Sequence, residues 1–154
     1  MGVLSPDARR VVEEQRLGFV ATVNADGTPN LSPKGTMAVL DDDHLAFADI
    51  RSPGTIRNLR ERPAIEINIV DPIGRMGYRF RGTATVVDGG PRLDDLLAFY
   101  RNRGTDLPIQ RIVVIQVERC EPVISPAYDR GESETVIRER WRDHFAALET
   151  ARQT

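Results

Sequence analysis

The spacing of apolar and polar positions changes several times along the chain, and each change marks an element. Ser5-Pro6-Asp7 opens a segment that predicts a helix over 5–15. Ser5 would cap it, Pro6 would take its first turn, and Ala8, Val11 and Val12 would be its apolar stripe. The period then drops to two. Leu17, Phe19, Ala21 and Val23 alternate with smaller or polar neighbours and predict a half-buried strand with those odd-numbered positions as its apolar face. Asn24-Ala25-Asp26-Gly27 is a tight-turn signal, and 28–32 returns as the second strand of a hairpin. A second hairpin runs from Met37–Leu40 through Asp41-Asp42-Asp43 to Leu45–Ile50.

Ser52–Arg62 predicts a helix with Ile56 and Leu59 on a core face and Thr55 and Asn58 together on another; Pro63 ends it. Ala64–Val70 and Gly77–Val87 predict strands on either side of a loop at Asp71-Pro72-Ile73-Gly74. Gly82, inside the second strand, predicts a bulge or a close approach by a ligand or backbone. A helix follows over Pro91–Arg103, with Leu93, Leu96, Leu97 and Tyr100 at helical spacing. Ile112–Val117 is a last strand, Pro122–Arg130 a loop, and 132–149 a terminal helix striped by Ile137, Trp141, Phe145 and Leu148. Short strands joined by hairpins, with helices between and after them, predict a mainly β (α+β) fold built on a small antiparallel barrel, not a parallel doubly wound sheet. No strand leads into a G-x-G-x-x-G turn, which argues against a dinucleotide-binding sheet. A single domain over 1–154 is expected: helix 5–15, barrel 17–120, helix 132–149.

Composition narrows this only at the margins. A length of 154 residues, 40% apolar and 29% charged, suits one globular domain. The net charge of -2 gives no reason to expect nucleic acid. Cys120 is the only cysteine, so neither an internal disulfide nor a cysteine metal cluster is expected. There is no apolar run of membrane-spanning length, and Met1–Pro6 lacks the features of a signal peptide, so a cytoplasmic protein is expected. His44 and His144 have no partner pattern for a metal or a catalytic dyad, and the three aspartates lack calcium-loop spacing. No metal ligand and no catalytic side chain is assigned.

The candidate chemistry lies between Pro29 and Pro63. Ser32-Pro33-Lys34-Gly35-Thr36 places a lysine in a Pro/Gly setting, and Arg51-Ser52-Pro53-Gly54-Thr55 reads as a helix start with Ser52 as N-cap. A helix N-terminus offers free amides and partial positive charge, which suit an anion. Ser52 and Thr55 add hydroxyls, Arg51 adds charge, and Lys34 would reach the same point if the two segments are neighbours. Together they predict a phosphate site made without a glycine-rich loop.

Three stretches carry a resemblance: G-F-V-A-T-V-N-A-D-G-T-P-N-L-S-P-K-G, L-A-F-A-D-I-R-S-P-G-T-I-R-N-L-R-E-R-P and R-F-R-G-T-A-T-V. Over roughly 11–120 the chain resembles the pyridoxamine 5'-phosphate oxidase-like family of FMN-binding split barrels. The resemblance implies a six-stranded split β-barrel, a homodimer, and FMN near the dimer interface. It implies that Ser32, Pro33, Lys34, Gly35 and Thr36 line the flavin, and that Arg51, Ser52, Thr55 and Asn58 hold its phosphate end. Arg81-Gly82-Thr83 would fall on the strand beneath the cofactor. There are two departures. Pro53-Gly54-Thr55 stands where the family's oxidases often carry a lysine, and the C-terminal extension that binds the vitamin B6 substrate is not recognisable. The expectation is therefore an FMN-dependent oxidoreductase acting on another small molecule, with a nicotinamide electron donor. The alternatives are a non-catalytic FMN-binding or electron-carrier protein, or a deazaflavin- or haem-binding relative.

Overall fold

The structure is a computed structural model and describes residues 2–153. Met1 and Thr154, the ends of the expected domain, lie outside the described residues. The elements in chain order are α1 (Pro6–Gln15), β1 (Gly18–Val23), β2 (Pro29–Lys34), β3 (Ala38–Val39), β4 (His44–Asp49) and α2 (Pro53–Glu61). They continue with β5 (Ala64–Asp71), β6 (Met76–Val87), α3 (Gly90–Asn102), β7 (Arg111–Ile124), α4 (Pro126–Asp129) and α5 (Glu134–Arg152). Ser5 caps α1 as its sequence predicts: its hydroxyl accepts from the Ala8 amide at 3.1 Å.

All strands join one antiparallel sheet in the order β2-β1-β5-β6-β7-β4-β3. The count among the described residues is seven where the resemblance implies six. All seven strand segments expected from the sequence are present among the described residues, and β3 is only two residues long. Val20 of β1, Phe47 of β4, Ile67 of β5, Phe80 of β6 and Ile115 of β7 share one core cluster with Leu4, Ala8, Val11 and Val12 at α1 and with Ile56 and Leu59 of α2. Strands from both halves of the sheet can meet in one core only if the sheet curls around it.

The outer face of the sheet is treated in two ways. Over β3, β4 and β7 it is covered: Leu96 and Tyr100 of α3 pack on Ala46, Ala48, Ile112 and Val114. Residues 45–48 of β4 and 112–115 of β7 are buried on both sides, so these stretches read as continuous apolar runs. Over β1 and β2 the outer face is bare. The face of β1 expected to be buried is the exposed one: Val20 is fully buried, whereas Phe19 is 44% exposed and Leu31 of β2 is 67% exposed. Period two gives the alternation but not its sign. Gly82 meets backbone. A Cβ there would lie 2.0 Å from the Gln116 carbonyl oxygen, and the register between β6 and β7 shifts at Arg81/Gly82.

The C-terminal part departs from expectation. β7 runs on to Ile124 into the region expected as a loop, because Cys120, Pro122 and Ile124 stay paired with Phe80, Tyr78 and Met76. Along α5 the expected stripe is buried only at Ile137; Trp141 lies under the Arg75 guanidinium at 3.9 Å, and Phe145 and Leu148 are exposed. The helix is tied to the β5–β6 turn. Arg138 donates to Asp71 at 2.6 Å and to Glu134 at 2.7 Å, and the Tyr128 hydroxyl donates to the Gly74 carbonyl at 2.7 Å. Burial pushes the Asp71 carboxyl up, but the Gly74 and Ile73 amides and Arg138 outweigh it and leave it below the usual range. Its stabilising contribution is present above the unfolded pKa and is lost as pH falls through the lowered folded value. Arg138→Met is expected to cost about 1.5–3 kcal/mol at neutral pH, the usual size for a hydrogen bond to a charged group. The measurement is urea unfolding at pH 7 and pH 3. The cost should shrink at pH 3; an equal cost at both would contradict the assignment. No described helix is long and apolar enough to cross a membrane.

Candidate functional site

The end of β2 and the start of α2 are 18 residues apart in sequence and adjacent in space. Lys34 is the last residue of β2, opposite Gly18 in the ladder, and its side chain is only 7% exposed. Its ammonium donates to the Ser32 hydroxyl at 2.6 Å and to the Ser52 hydroxyl at 2.8 Å. It lies 5.9 Å from the centre of the Phe47 ring. No carboxylate pairs with it among the described residues. Burial pushes Lys34 below the usual lysine range, and the charge of Asp49 pulls the other way. A buried cation resting on neutral hydroxyls is costly unless something else balances it.

Ser52 stands at the N-cap position of α2, but its side chain caps nothing. Ser5, Ser125 and Ser133 each cap their own helix through the hydroxyl. Ser52 gives its oxygen to Lys34 instead, so the amides of Gly54 and Thr55 have no side-chain cap. The space that a Cβ would take at Gly54, or at Gly35, is open to 4 Å. The helix start thus has amides without a side-chain cap, a hydroxyl and an ammonium beside them, and open space at Gly35 and Gly54, the combination an anion needs.

The other expected residues divide. Thr55 is buried on the first turn of α2. Arg51 is exposed in the bend before it and has no ion pair or hydrogen bond among the described residues. Thr36 is used by the fold: its hydroxyl accepts from the Ala48 amide at 2.8 Å, locking the chain after β2 onto β4. Asn58 is buried, and its amide donates to the Thr22 hydroxyl at 3.0 Å and to the Asn24 side-chain oxygen at 2.9 Å. It fastens α2 to β1 and the first hairpin. Pro33 is exposed on the edge strand, where its missing N–H costs no ladder bond.

Two residues escaped the sequence reading. Asp49 is 1% exposed; one oxygen accepts from the Ser52 amide at 2.9 Å and the other from Arg111 at 2.8 Å. Asp49 three residues before Ser52 is a local turn signal, but Arg111, 62 residues on, becomes its neighbour only through the β4–β7 register. Arg81, Gly82 and Thr83 line a separate cleft of about 350 Å³ on the bare outer face, with Ala21, Glu66 and Glu118. The Cys120 thiol is pushed up to about 11 by burial, so it is not a thiolate at neutral pH. Among the described residues no group of three His, Cys, Asp or Glu side chains is placed to hold a metal.

The profile of the pyridoxamine 5'-phosphate oxidase family matches residues 4–124, most of the chain, and takes in the whole Lys34–Ser52 cradle. The chain belongs to this family. It is similar to solved structures over most of their length. HupZ of Group A Streptococcus is 30% identical with a TM-score of 0.70, covering 79% of this chain and 94% of that one. A candidate pyridoxamine 5'-phosphate oxidase of Lactobacillus delbrueckii is 25% identical with a TM-score of 0.68, covering 79% and 95%. An FMN-binding protein of Syntrophomonas wolfei shares the fold at 17% identity, with a TM-score of 0.64 and 77% and 84% covered. The split barrel is therefore the fold of this chain, and α5 lies beyond the family match.

Proposed function

We propose that the protein is an FMN-dependent oxidoreductase that grips the FMN phosphate between Lys34 and the start of α2. The observation that carries this reading is the Lys34 ammonium: buried, held by two hydroxyls, and paired with no carboxylate among the described residues. A phosphate group supplies the missing negative charge, and charge-assisted hydrogen bonds are the strong ones. The residues fit the group: open space at Gly35 and Gly54, uncapped amides at Gly54 and Thr55, and Arg51 with no partner of its own among the described residues. The FMN-binding name of a protein with this fold supports the choice of cofactor.

Bound FMN would supply the redox chemistry. The chain's part is to bind and orient it. Ser32 and Ser52 hold Lys34 in place, Asn58 fixes α2 against β1, and Thr36 locks the end of β2 to β4. The bare half of the outer sheet face, with Phe19 and Leu31 exposed, is the surface that a homodimer would cover. A nicotinamide donor and a small-molecule acceptor complete the reading.

The test is a fluorescence-quench titration of the purified protein with FMN and with riboflavin, which lacks the phosphate. FMN is expected to bind at least about tenfold more tightly, since about 1.4 kcal/mol is a factor of ten and even one charged hydrogen bond supplies that. Equal affinities would overturn the phosphate site. Bleaching of the bound flavin by NADH or NADPH would then support the enzyme over a carrier, and a flavin that neither reduces would favour the carrier.

A further inference from the structure

Asp49 and Arg111 stand beside the cradle, and Arg111 also lines a cleft with Pro53, Arg57 and Arg60 of α2. Ser52 links the two groups: its hydroxyl takes the Lys34 ammonium at 2.8 Å and its amide donates to Asp49 at 2.9 Å. One residue therefore separates a buried ammonium from a buried carboxylate. Left to themselves, two such ions pair directly, because hydrogen bonds between ionised groups are roughly twice as strong as neutral ones. Here they do not. Lys34 goes to Ser32 and Ser52, and the second oxygen of Asp49 is taken by Arg111 at 2.8 Å. The β4–β7 register sets Arg111 directly opposite Asp49.

We infer that Arg111 is a positioning residue that keeps the cradle open to a phosphate monoester: by holding Asp49 in an ion pair, it prevents that carboxylate from neutralising Lys34. The inference rests on the phosphate reading above and adds the residue that keeps Lys34 free for the phosphate. Once Asp49 and Arg111 offset each other, Lys34 is left at the helix start with Arg51 and Arg57, neither of which has an ion pair among the described residues. This excess of positive charge suits the roughly -1.5 to -2 of a phosphate monoester at neutral pH. A neutral ligand gains nothing from it. Asp49 also draws on Lys34 through space, so its own neutralisation decides how much of the ammonium's charge is left for a ligand.

The test is a cycle in the full-length chain with Arg111→Met, Asp49→Asn and the double variant, each titrated with FMN and riboflavin after thermal unfolding has established that it is folded. Arg111→Met is expected to weaken FMN about tenfold and to leave riboflavin unchanged, since the freed Asp49 turns toward Lys34. The double variant is expected to recover FMN affinity to within about threefold of the wild type, because the introduced asparagine still accepts the Ser52 amide and carries no charge. Recovery supports the inference. A double variant as weak as Arg111→Met, or weaker, means that Arg111 only shapes the strand pair, and overturns it. If Arg111→Met does not fold, Arg111→Lys decides: it keeps an ion pair with Asp49 and should retain the preference of FMN over riboflavin, and its loss overturns the inference. Lys34→Met run in parallel separates the two levels. Unchanged FMN affinity there removes the phosphate reading itself, whereas weakened FMN with no recovery in the double variant removes only the role of Arg111.

Discussion

Lys34→Met is expected to lower FMN affinity by about one to two orders of magnitude while leaving the ligand-free protein as stable as before, or more so. A charged hydrogen bond to the phosphate is worth roughly 1.5–3 kcal/mol, and each 1.4 kcal/mol is about tenfold. The opposite sign in the ligand-free state follows from burial. Lys34 is 7% exposed and leans on two neutral hydroxyls, so its charge costs solvation that the through-space pull of Asp49 offsets only in part. Methionine fills similar volume without that cost, and it frees the Ser52 hydroxyl to cap α2, which is worth about 1 kcal/mol. Thermal unfolding with and without FMN measures both effects. The wild type should gain more stability from FMN than the variant does, by mass action. If the variant loses stability without ligand and keeps its FMN affinity, Lys34 is a structural residue only.

Gly82→Ala is expected to destabilise the protein by about 3 kcal/mol or more, lowering its melting temperature by about 10 °C. Its Cβ would sit 2.0 Å from the Gln116 carbonyl oxygen and 3.2 Å from the Val117 Cα. Both are backbone atoms, so no rotamer change relieves the clash, and β6 must move away from β7. These strands pair over twelve positions, and the register shift at Arg81/Gly82 already accommodates one extra residue there. Gly54→Ala is the control: nothing lies within 4 Å of its Cβ, and alanine in a helix is favoured over glycine by about 0.5–1 kcal/mol. Urea unfolding of both variants separates steric closeness from loss of glycine in general. A Gly82→Ala loss below about 1 kcal/mol would mean that the strands part easily.

The element sequence was legible because its signals are local. Ser5 three residues before the Ala8 amide, Asn24–Gly27 between alternating runs, and Pro53 and Pro63 around α2 each act through bonds or backbone angles within a few residues. The same holds for the candidate helix start, where Ser52-Pro53-Gly54-Thr55 forecasts an N-terminus without tertiary information. Asp49 was half legible, three residues before Ser52; Arg111 was not, because only the β4–β7 register brings it there. The sequence also places Lys34 beside Ser32, but its bond to Ser52 across 18 residues, and so the use of that hydroxyl as an acceptor and not a cap, came from the curl of the sheet.

The chain pattern by itself determined seven strand segments, their hairpins and the helices around them. Tertiary structure decided which face of β1 is buried. The alternation at Phe19 and Val20 is symmetric, and only the packing of α1 and α2 on one side of the sheet breaks the tie. Tertiary structure also decided that α5 rests on the body at Ile137 and leaves Phe145 and Leu148 outside, although all lie on one stripe. A stripe shows that a helix has an apolar face; how much of that face is covered depends on where the body ends beneath it.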